Sequence, residues 1–164
     1  MATKTKPTYL GLLNAIAVGE ASAEPFFLAW ADTTKDKRLA TTLRFVAMRE
    51  GEHGKAFAKR MLELGYEVRP SNSDFAAKAL ETAASDKSDL QKFRALKLGK
   101  GSPKIDVFDS MFNDKTIDPI TGALLGRYIA EERDSTRLLA AEYDRLLAKD
   151  RAKKARAAAR TTKA

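Results

Sequence analysis

Residues 39–65 read LATTLRFVAMREGEHGKAFAKRMLELG. Apolar residues recur in this stretch at steps of three and four, which is the spacing of one face of an α-helix. The apolar face runs through Leu39, Leu43, Val46, Phe57, Met61 and Leu64. Gly65 follows the last of these residues and predicts the end of the helix there, because glycine readily adopts the left-handed conformation of a C-terminal cap. The stretch therefore predicts one long amphipathic helix.

Two further stretches, one on each side of residues 39–65, carry the same periodicity. The first follows Leu10, Leu13, Ala17, Glu20, Glu24, Phe27 and Ala31. The last opens at Asp118-Pro119, a pair typical of a helix N-cap and first turn. It continues through Leu125, Ile129, Glu132, Thr136, Leu139, Tyr143 and Leu146. The alternation expected of strands is weak throughout, so the sequence predicts an all-α, up-down helix bundle with a long C-terminal helix.

The periodicity is interrupted between residues 66 and 117. A short helix is predicted to be capped by Ser73 or Asp74 and to end at Ala84, and a second is predicted over residues 88–98. A loop is predicted after these segments, from Gly99, Gly101 and Pro103, before a short apolar stretch at residues 105–112. We therefore expect the third helix of the bundle to be broken.

The composition excludes several classes of protein. Hydrophobic residues make up 44% of the chain and charged residues 32%, which is typical of a folded globular domain. No apolar run approaches the ~20 residues that a transmembrane helix needs. The chain has no cysteine, which excludes disulfides, thiolate zinc sites, iron–sulfur clusters and cysteine nucleophiles. We expect a soluble, cytoplasmic protein without membrane association.

The N-terminus resembles a short signal peptide. Lys4 and Lys6 precede the apolar residues 10–18, and Ala21-Ser22-Ala23 then imitates a cleavage site. The helical face continues past that site, however, so we interpret the segment as the first helix of an uncleaved protein.

The positive charge is concentrated at the two ends of the chain. The net charge is +8, of which residues 149–164 contribute +6 and the first six residues +2, so the body is neutral. We predict a bundle domain over residues 1–148 and a basic tail over residues 149–164, which lacks large apolar residues and is expected to fray. The tail can bind DNA non-specifically through phosphate contacts, or it can be a solvated segment that aids solubility. Its basic residues are Lys149, Arg151, Lys153, Lys154, Arg156, Arg160 and Lys163.

Polar residues interrupt the apolar face of each of the three predicted long helices. A bare carboxylate buried in such a face costs several kcal/mol. Glu50 and His53 are three residues apart and therefore share one face of their helix. A divalent metal offsets the repulsion between converging carboxylates, and oxygen and imidazole ligands together suit iron or manganese. The predicted metal ligands are Glu20, Glu50, His53 and Glu132. The alternative is a buried ion-pair network closed by Arg49 or Arg133.

The sequence resembles a known family in two places. Residues 17–23, AVGEASA, followed by Glu50-Gly51-Glu52-His53, resemble the first half of rubrerythrin-type proteins in the ferritin-like superfamily. The resemblance implies a ferritin-like bundle with a di-iron centre, a function in oxidising Fe(II) with dioxygen or peroxide, and assembly as a homo-oligomer, by default a dimer. The absence of cysteine excludes the rubredoxin-type module that full-length rubrerythrins carry. The same ligand set supports hydroxylases and oxygenases of organic substrates among relatives.

The second half of the chain departs from the family pattern. Aligning the last long helix on the Glu50 helix places Glu132 opposite Glu50, but Ser135 opposite His53. Sliding the alignment by one residue instead pairs Glu131 and Asp134 with the Glu-x-x-His positions. The broken third helix offers Glu81 alone. The second metal site therefore depends on Asp134 or Glu81.

Two glutamates lie at the edges of the apolar faces. We expect Glu24 and Glu131 to be solvated there, and not to be ligands. The alternative function is that of a metal-free ferritin-like scaffold that acts through interactions, including DNA binding by the basic tail.

Overall fold

The computed structural model describes residues 6–71, 73–99 and 113–161. The structure is all-helical within these ranges and contains five α-helices, the last of them the longest. They are α1 (Leu10–Thr33), α2 (Lys37–Glu63), α3 (Phe75–Ala84), α4 (Asp89–Ala95) and α5 (Pro119–Thr161). The all-α prediction is confirmed, as are the three long helices. Within the described residues, no helix is both long enough and apolar enough to cross a membrane.

α1 and α2 form a closely packed helical hairpin. Two glycines of α2 permit the close approach: a Cβ atom added at Gly54 would lie 2.8 Å from the backbone nitrogen of Ala21, and one added at Gly51 would meet the carboxylate of Glu24. α2 ends at the predicted cap, because Gly65 has a φ of +88° and the amide of Tyr66 donates to the carbonyl of Met61. These contacts fix the register between the two helices that carry the first three predicted ligands.

Substituting Gly54 by alanine tests this close approach. Alanine favours a helix interior by roughly 1 kcal/mol over glycine. Here the new methyl group must push the backbone of α1 away, and overpacking of this kind costs about 1–3 kcal/mol. We therefore expect Gly54→Ala to lower the free energy of unfolding measured in urea. Gly126→Ala is the matched control, because its added Cβ has no atom within 4 Å, and we expect it to be neutral or stabilising. Equal stability of the two variants would contradict this account of the hairpin.

Two capping aspartates anchor α5 to the hairpin. Asp118 accepts hydrogen bonds from the amides at the start of α5, and it also accepts one from Arg60 of α2 at 2.9 Å. At the other end, Asp36 caps α2 and receives two hydrogen bonds from Arg145 of α5, at 3.0 and 2.9 Å. The hydrogen bonds from Arg145 are the main cause that holds the pKa of Asp36 below its usual range. Ion pairs near the two ends of α2 thus set the register of α5 along it.

The core consists of two apolar clusters separated along the helices. One cluster contains Phe27 and Trp30 of α1 together with the first half of α2 and Leu139 of α5. The other contains Leu13 of α1, the second half of α2 and Ile129 of α5. On each of the three long helices, the interrupting polar residues lie between these two clusters. The folding pattern therefore brings them together at one level of the structure.

The described part of the middle third contains two short helices, as predicted. α3 occupies the first predicted short helix, and α4 begins at the N-cap Ser88 with a capping box but ends at Ala95, earlier than residue 98. Lys92 of α4 is fully buried and donates hydrogen bonds to Thr33 and to the carbonyl of Ala83, which ties α4 to α1 and α3. The predicted loop residues Gly101 and Pro103 and the apolar stretch 105–112 lie outside the described residues.

The basic end of the chain differs from the expectation of fraying. α5 continues without interruption across the predicted domain boundary at residue 148 and ends at Thr161. Alanine-rich composition and the ion pair between Lys154 and Asp150, 2.8 Å apart, favour this continuation. The division into a domain over 1–148 and a tail over 149–164 stays a prediction.

Candidate metal site

Three helices contribute buried polar side chains to one site between the two apolar clusters. Glu20 comes from α1, Glu50 and His53 come from α2, and Glu132 comes from α5. Glu20, Glu50 and His53 are 8%, 6% and 4% exposed, respectively. The side chain of Glu132 is 18% exposed. The sequence folds this way locally because each residue occupies a position of the helical face that its apolar neighbours force inward.

Three of the four predicted ligands converge on one point. The Nδ1 atom of His53 lies 3.8 Å from an Oε2 of Glu20 and 3.5 Å from an Oε1 of Glu132. One ligand atom from each of the three residues lies within 4.8 Å of the other two. Atoms that share one metal at ~2 Å are separated by comparable distances. The geometry therefore fits a single metal ion held by two carboxylates and one imidazole.

The same three atoms are left without hydrogen-bond partners. Glu20 Oε2, His53 Nδ1 and Glu132 Oε1 are all buried, and none has a hydrogen-bond partner among the described residues. Buried polar atoms are nearly always satisfied in folded proteins, so three orphaned atoms that face one another need an explanation. A divalent cation satisfies all of them at once, and this is the observation that best fits a metal site.

Glu131 holds the outer nitrogen of His53. The Nε2 atom of His53 donates to Oε2 of Glu131 at 2.6 Å, and Arg127 donates to the other oxygen of the same carboxylate at 2.9 Å. Metal-binding histidines commonly donate their second nitrogen to a carboxylate in this way, which fixes the ring and its tautomer. Glu131 is therefore not a solvated edge residue as expected from the sequence. It orients His53 so that Nδ1 faces Glu20 and Glu132.

The role of Glu131 predicts a graded loss of metal affinity. Glu131→Gln keeps the size of the side chain but removes the negative charge that supports the imidazole. Loss of such an outer partner typically weakens metal binding 10- to 100-fold. We expect an effect within that range for Mn(II), measured by titration calorimetry. The control is Asp134→Asn, a carboxylate on the same helix that does not contact His53, and an equal loss in both variants would contradict an orienting role.

Glu50 borders the triad without joining it. Its carboxylate lines the same cavity as Glu20 and Glu132, but it is not part of the group whose ligand atoms lie within 4.8 Å of one another. Burial, contact with Glu20 and the charge of Glu132 raise the pKa of Glu50 to about 11. Glu50 therefore favours its protonated form more than an ordinary carboxyl does, and it lies beside the triad on the cavity side.

The close packing of ionisable groups in this site shifts the pKa values of His53, Glu20 and Tyr128. Burial by itself lowers the pKa of His53, but its contacts with Glu132, Glu20 and Glu131 outweigh burial and raise that pKa to about 10. Burial raises the pKa of Glu20, yet its contacts with His53, Glu50 and Tyr128 outweigh burial and lower the pKa overall. The Tyr128 hydroxyl donates to Glu20 at 2.9 Å, and burial raises its pKa well above the usual range.

Arg49 does not close a buried ion-pair network around the triad, which was one form of the alternative to a metal site. Arg49 donates to Asp134 at 2.9 Å and to Ser135 at 3.3 Å, away from the triad. Within the described residues, the ion pairs of Glu20 and Glu132 are made with His53 alone. The cluster thus has more carboxylates than cations to pair with them.

The residues that the sequence offered as ligands of a second metal ion do not converge with the triad. Ser135, which the alignment of α5 on α2 pairs with His53, is buried and offers a hydroxyl there instead of an imidazole. Asp134 is paired with Arg49 and Arg137, and Glu81 is exposed on α3. The side chain of Glu24 lies over Gly51 instead of the triad. Of the predicted ligands, the structure therefore brings together Glu20, His53 and Glu132, which is enough for one metal ion.

Comparison with protein-family models, with curated proteins and with solved structures found no match to this chain.

Proposed function

We propose that this protein is a ferritin-like metalloprotein that binds iron, or manganese, between α1, α2 and α5 and oxidises Fe(II) with dioxygen or peroxide. The observation that carries the proposal is the convergence of three buried ligand atoms, from Glu20, His53 and Glu132, that lack hydrogen-bond partners among the described residues. Two carboxylate oxygens and one imidazole nitrogen suit these metals. Bound iron would supply one-electron transfer to the oxidant.

The surrounding residues have separate roles in this proposal. Glu131 orients the imidazole, and Tyr128 holds one oxygen of Glu20 so that the other faces the metal position. Glu50 holds a proton beside that position and can transfer it to a reduced oxidant or act as a further ligand once deprotonated. A homo-oligomer, by default a dimer, remains part of the proposal, and sedimentation equilibrium measures it.

Metal content tests the proposal directly. Purified protein is titrated anaerobically with Fe(II), freed of excess metal and analysed for iron, and an optical spectrum is recorded after exposure to air. We expect one iron per chain and an absorption change that requires air. Two irons per chain would contradict the single site described above. No iron in a protein that remains helical by circular dichroism would refute the proposal.

We also propose a second, independent function: non-specific DNA binding by the basic end of α5. The side chains of residues 151–160 are all exposed. Four of the basic residues, Lys149, Lys153, Arg156 and Arg160, follow steps of four, three and four and so form one helical face. This face extends for about 16 Å at 1.5 Å per residue. The absence of large apolar residues disfavours a membrane surface as the partner.

Matched double variants test DNA binding through this face. Lys153→Gln with Arg156→Gln removes two charges from the face, and Arg151→Gln with Lys154→Gln removes two charges outside it. We expect the first pair to weaken binding to a fluorescent DNA duplex at least tenfold and to reduce the salt dependence by about two phosphate contacts. The second pair should have the smaller effect. Undetectable binding at low salt, or equal losses in the two pairs, would contradict the proposed face.

A further inference from the structure

A large cavity opens beside the metal position. Its volume is about 780 Å³, and it lies between α1 and α5 with α3 and the segment after α4 on its outer side. Among the described residues, its walls are mostly apolar and include Val18, Phe27, Phe75, Leu96, Leu98 and Leu139. The carboxyl groups of Glu20, Glu50 and Glu132 form its polar end.

The size of the cavity exceeds what the proposed reaction requires. Dioxygen, peroxide and a metal ion each occupy a small fraction of this volume, whereas sites for small organic molecules commonly measure 300–1,000 Å³. Phe75 lines the cavity yet is 66% exposed, so an aromatic ring lies in water at the edge of this space. Such sites combine apolar walls with a few polar groups that orient the ligand. The cavity has both apolar walls and a polar end.

The charge of the polar end restricts the ligand. Within the described residues, the lining includes carboxyl groups but no lysine, arginine or histidine. An anionic ligand would therefore lose its hydration without gaining a cation in the metal-free protein. A neutral hydroxyl group can instead donate a hydrogen bond to a carboxyl oxygen at this polar end.

We propose that this cavity binds a neutral, predominantly apolar organic molecule with one polar group directed towards Glu20, Glu50 and Glu132. The ligand lies beside the metal position, and in that respect the inference rests on the proposed function. Binding of the apolar body depends on the cavity alone.

Gly19 provides a variant that fills the cavity without a clash. Gly19 lines the cavity, and a Cβ atom added to it has no atom within 4 Å. Gly19→Leu therefore adds a side chain to the open space, and leucine is the better helix former. Gly126→Leu is the matched control, because Gly126 is equally open, lies within α5 and is outside the cavity.

The first test measures binding of 2-naphthol to the metal-free protein by its fluorescence. We expect saturable binding, a loss of at least tenfold in Gly19→Leu and no change in Gly126→Leu. We also expect 2-naphthoate, which has the same rings and a negative charge, to bind at least tenfold more weakly. No binding of 2-naphthol, equal binding by Gly19→Leu and the parent, or a preference for the anion would each overturn the inference.

The second test locates the ligand relative to the metal. Mn(II) is paramagnetic and broadens the proton resonances of a nearby bound molecule, whereas Zn(II) does not. We expect broadening of 2-naphthol resonances only in the Mn(II)-loaded protein, and its absence would overturn the placement beside the metal. If the protein fails to bind Mn(II) but still binds 2-naphthol in the first test, the proposed function fails while the cavity assignment stands.

Discussion

His53→Ala is expected to abolish stoichiometric binding of Fe(II) and Mn(II) while the protein remains helical. His53 supplies the one nitrogen ligand of the triad, and its removal leaves Glu20 and Glu132 with no group that links them. Loss of an outer partner of a metal ligand commonly costs 10- to 100-fold in affinity, so loss of the ligand itself is expected to exceed about 100-fold. Calorimetric titration with Mn(II) measures this affinity.

Glu52→Ala is the control for this substitution. Glu52 precedes His53 on α2, but its side chain is 57% exposed and lies outside the triad. We expect its metal affinity to equal that of the parent. Far-UV circular dichroism establishes that both variants keep their helices. Retention of parental affinity by a folded His53→Ala protein would remove His53 from the site and refute the triad.

The helices and the interrupting residues were predictable from sequence because both depend on local periodicity. Glu20, Glu50, His53 and Glu132 each occupy an inward position that the neighbouring apolar residues define, and all four lie at one level of the structure. The N-cap at Asp118 could also be predicted, because the Asp-Pro pair that indicates it is a local feature of the sequence. The ferritin-like assignment and the bound metal stay predictions.

The role of Glu131 could not be predicted in the same way. Its contact with His53 depends on how far α5 is rotated and shifted against α2, and this is set by distant groups such as the Asp36–Arg145 pair. No short-range pattern in the sequence encodes that relation. The cavity could not be predicted from the sequence either, because it is formed by the relative placement of several helices.

Metal binding is also expected to release protons and to strengthen steeply with pH. In the metal-free protein the surrounding carboxylates raise the pKa of His53 to about 10, and burial with the neighbouring acids raises that of Glu50 to about 11. Both groups therefore hold a proton at pH 7. A metal requires His53 Nδ1 without its proton, and its positive charge favours ionisation of Glu50. Each proton released adds one decade of affinity per pH unit below these pKa values.

Calorimetry in buffers of different ionisation enthalpy counts these protons. At pH 7 we expect about two protons released per Mn(II), and an affinity that rises towards 100-fold per unit between pH 6 and 7.5. Glu50→Gln removes one of the two groups and should reduce the count to about one, while the Nε2 proton donated to Glu131 is retained. Glu52→Gln should leave the count unchanged. An affinity independent of pH in this range would mean that the metal does not replace the proton on His53, and the triad would then not be the binding site.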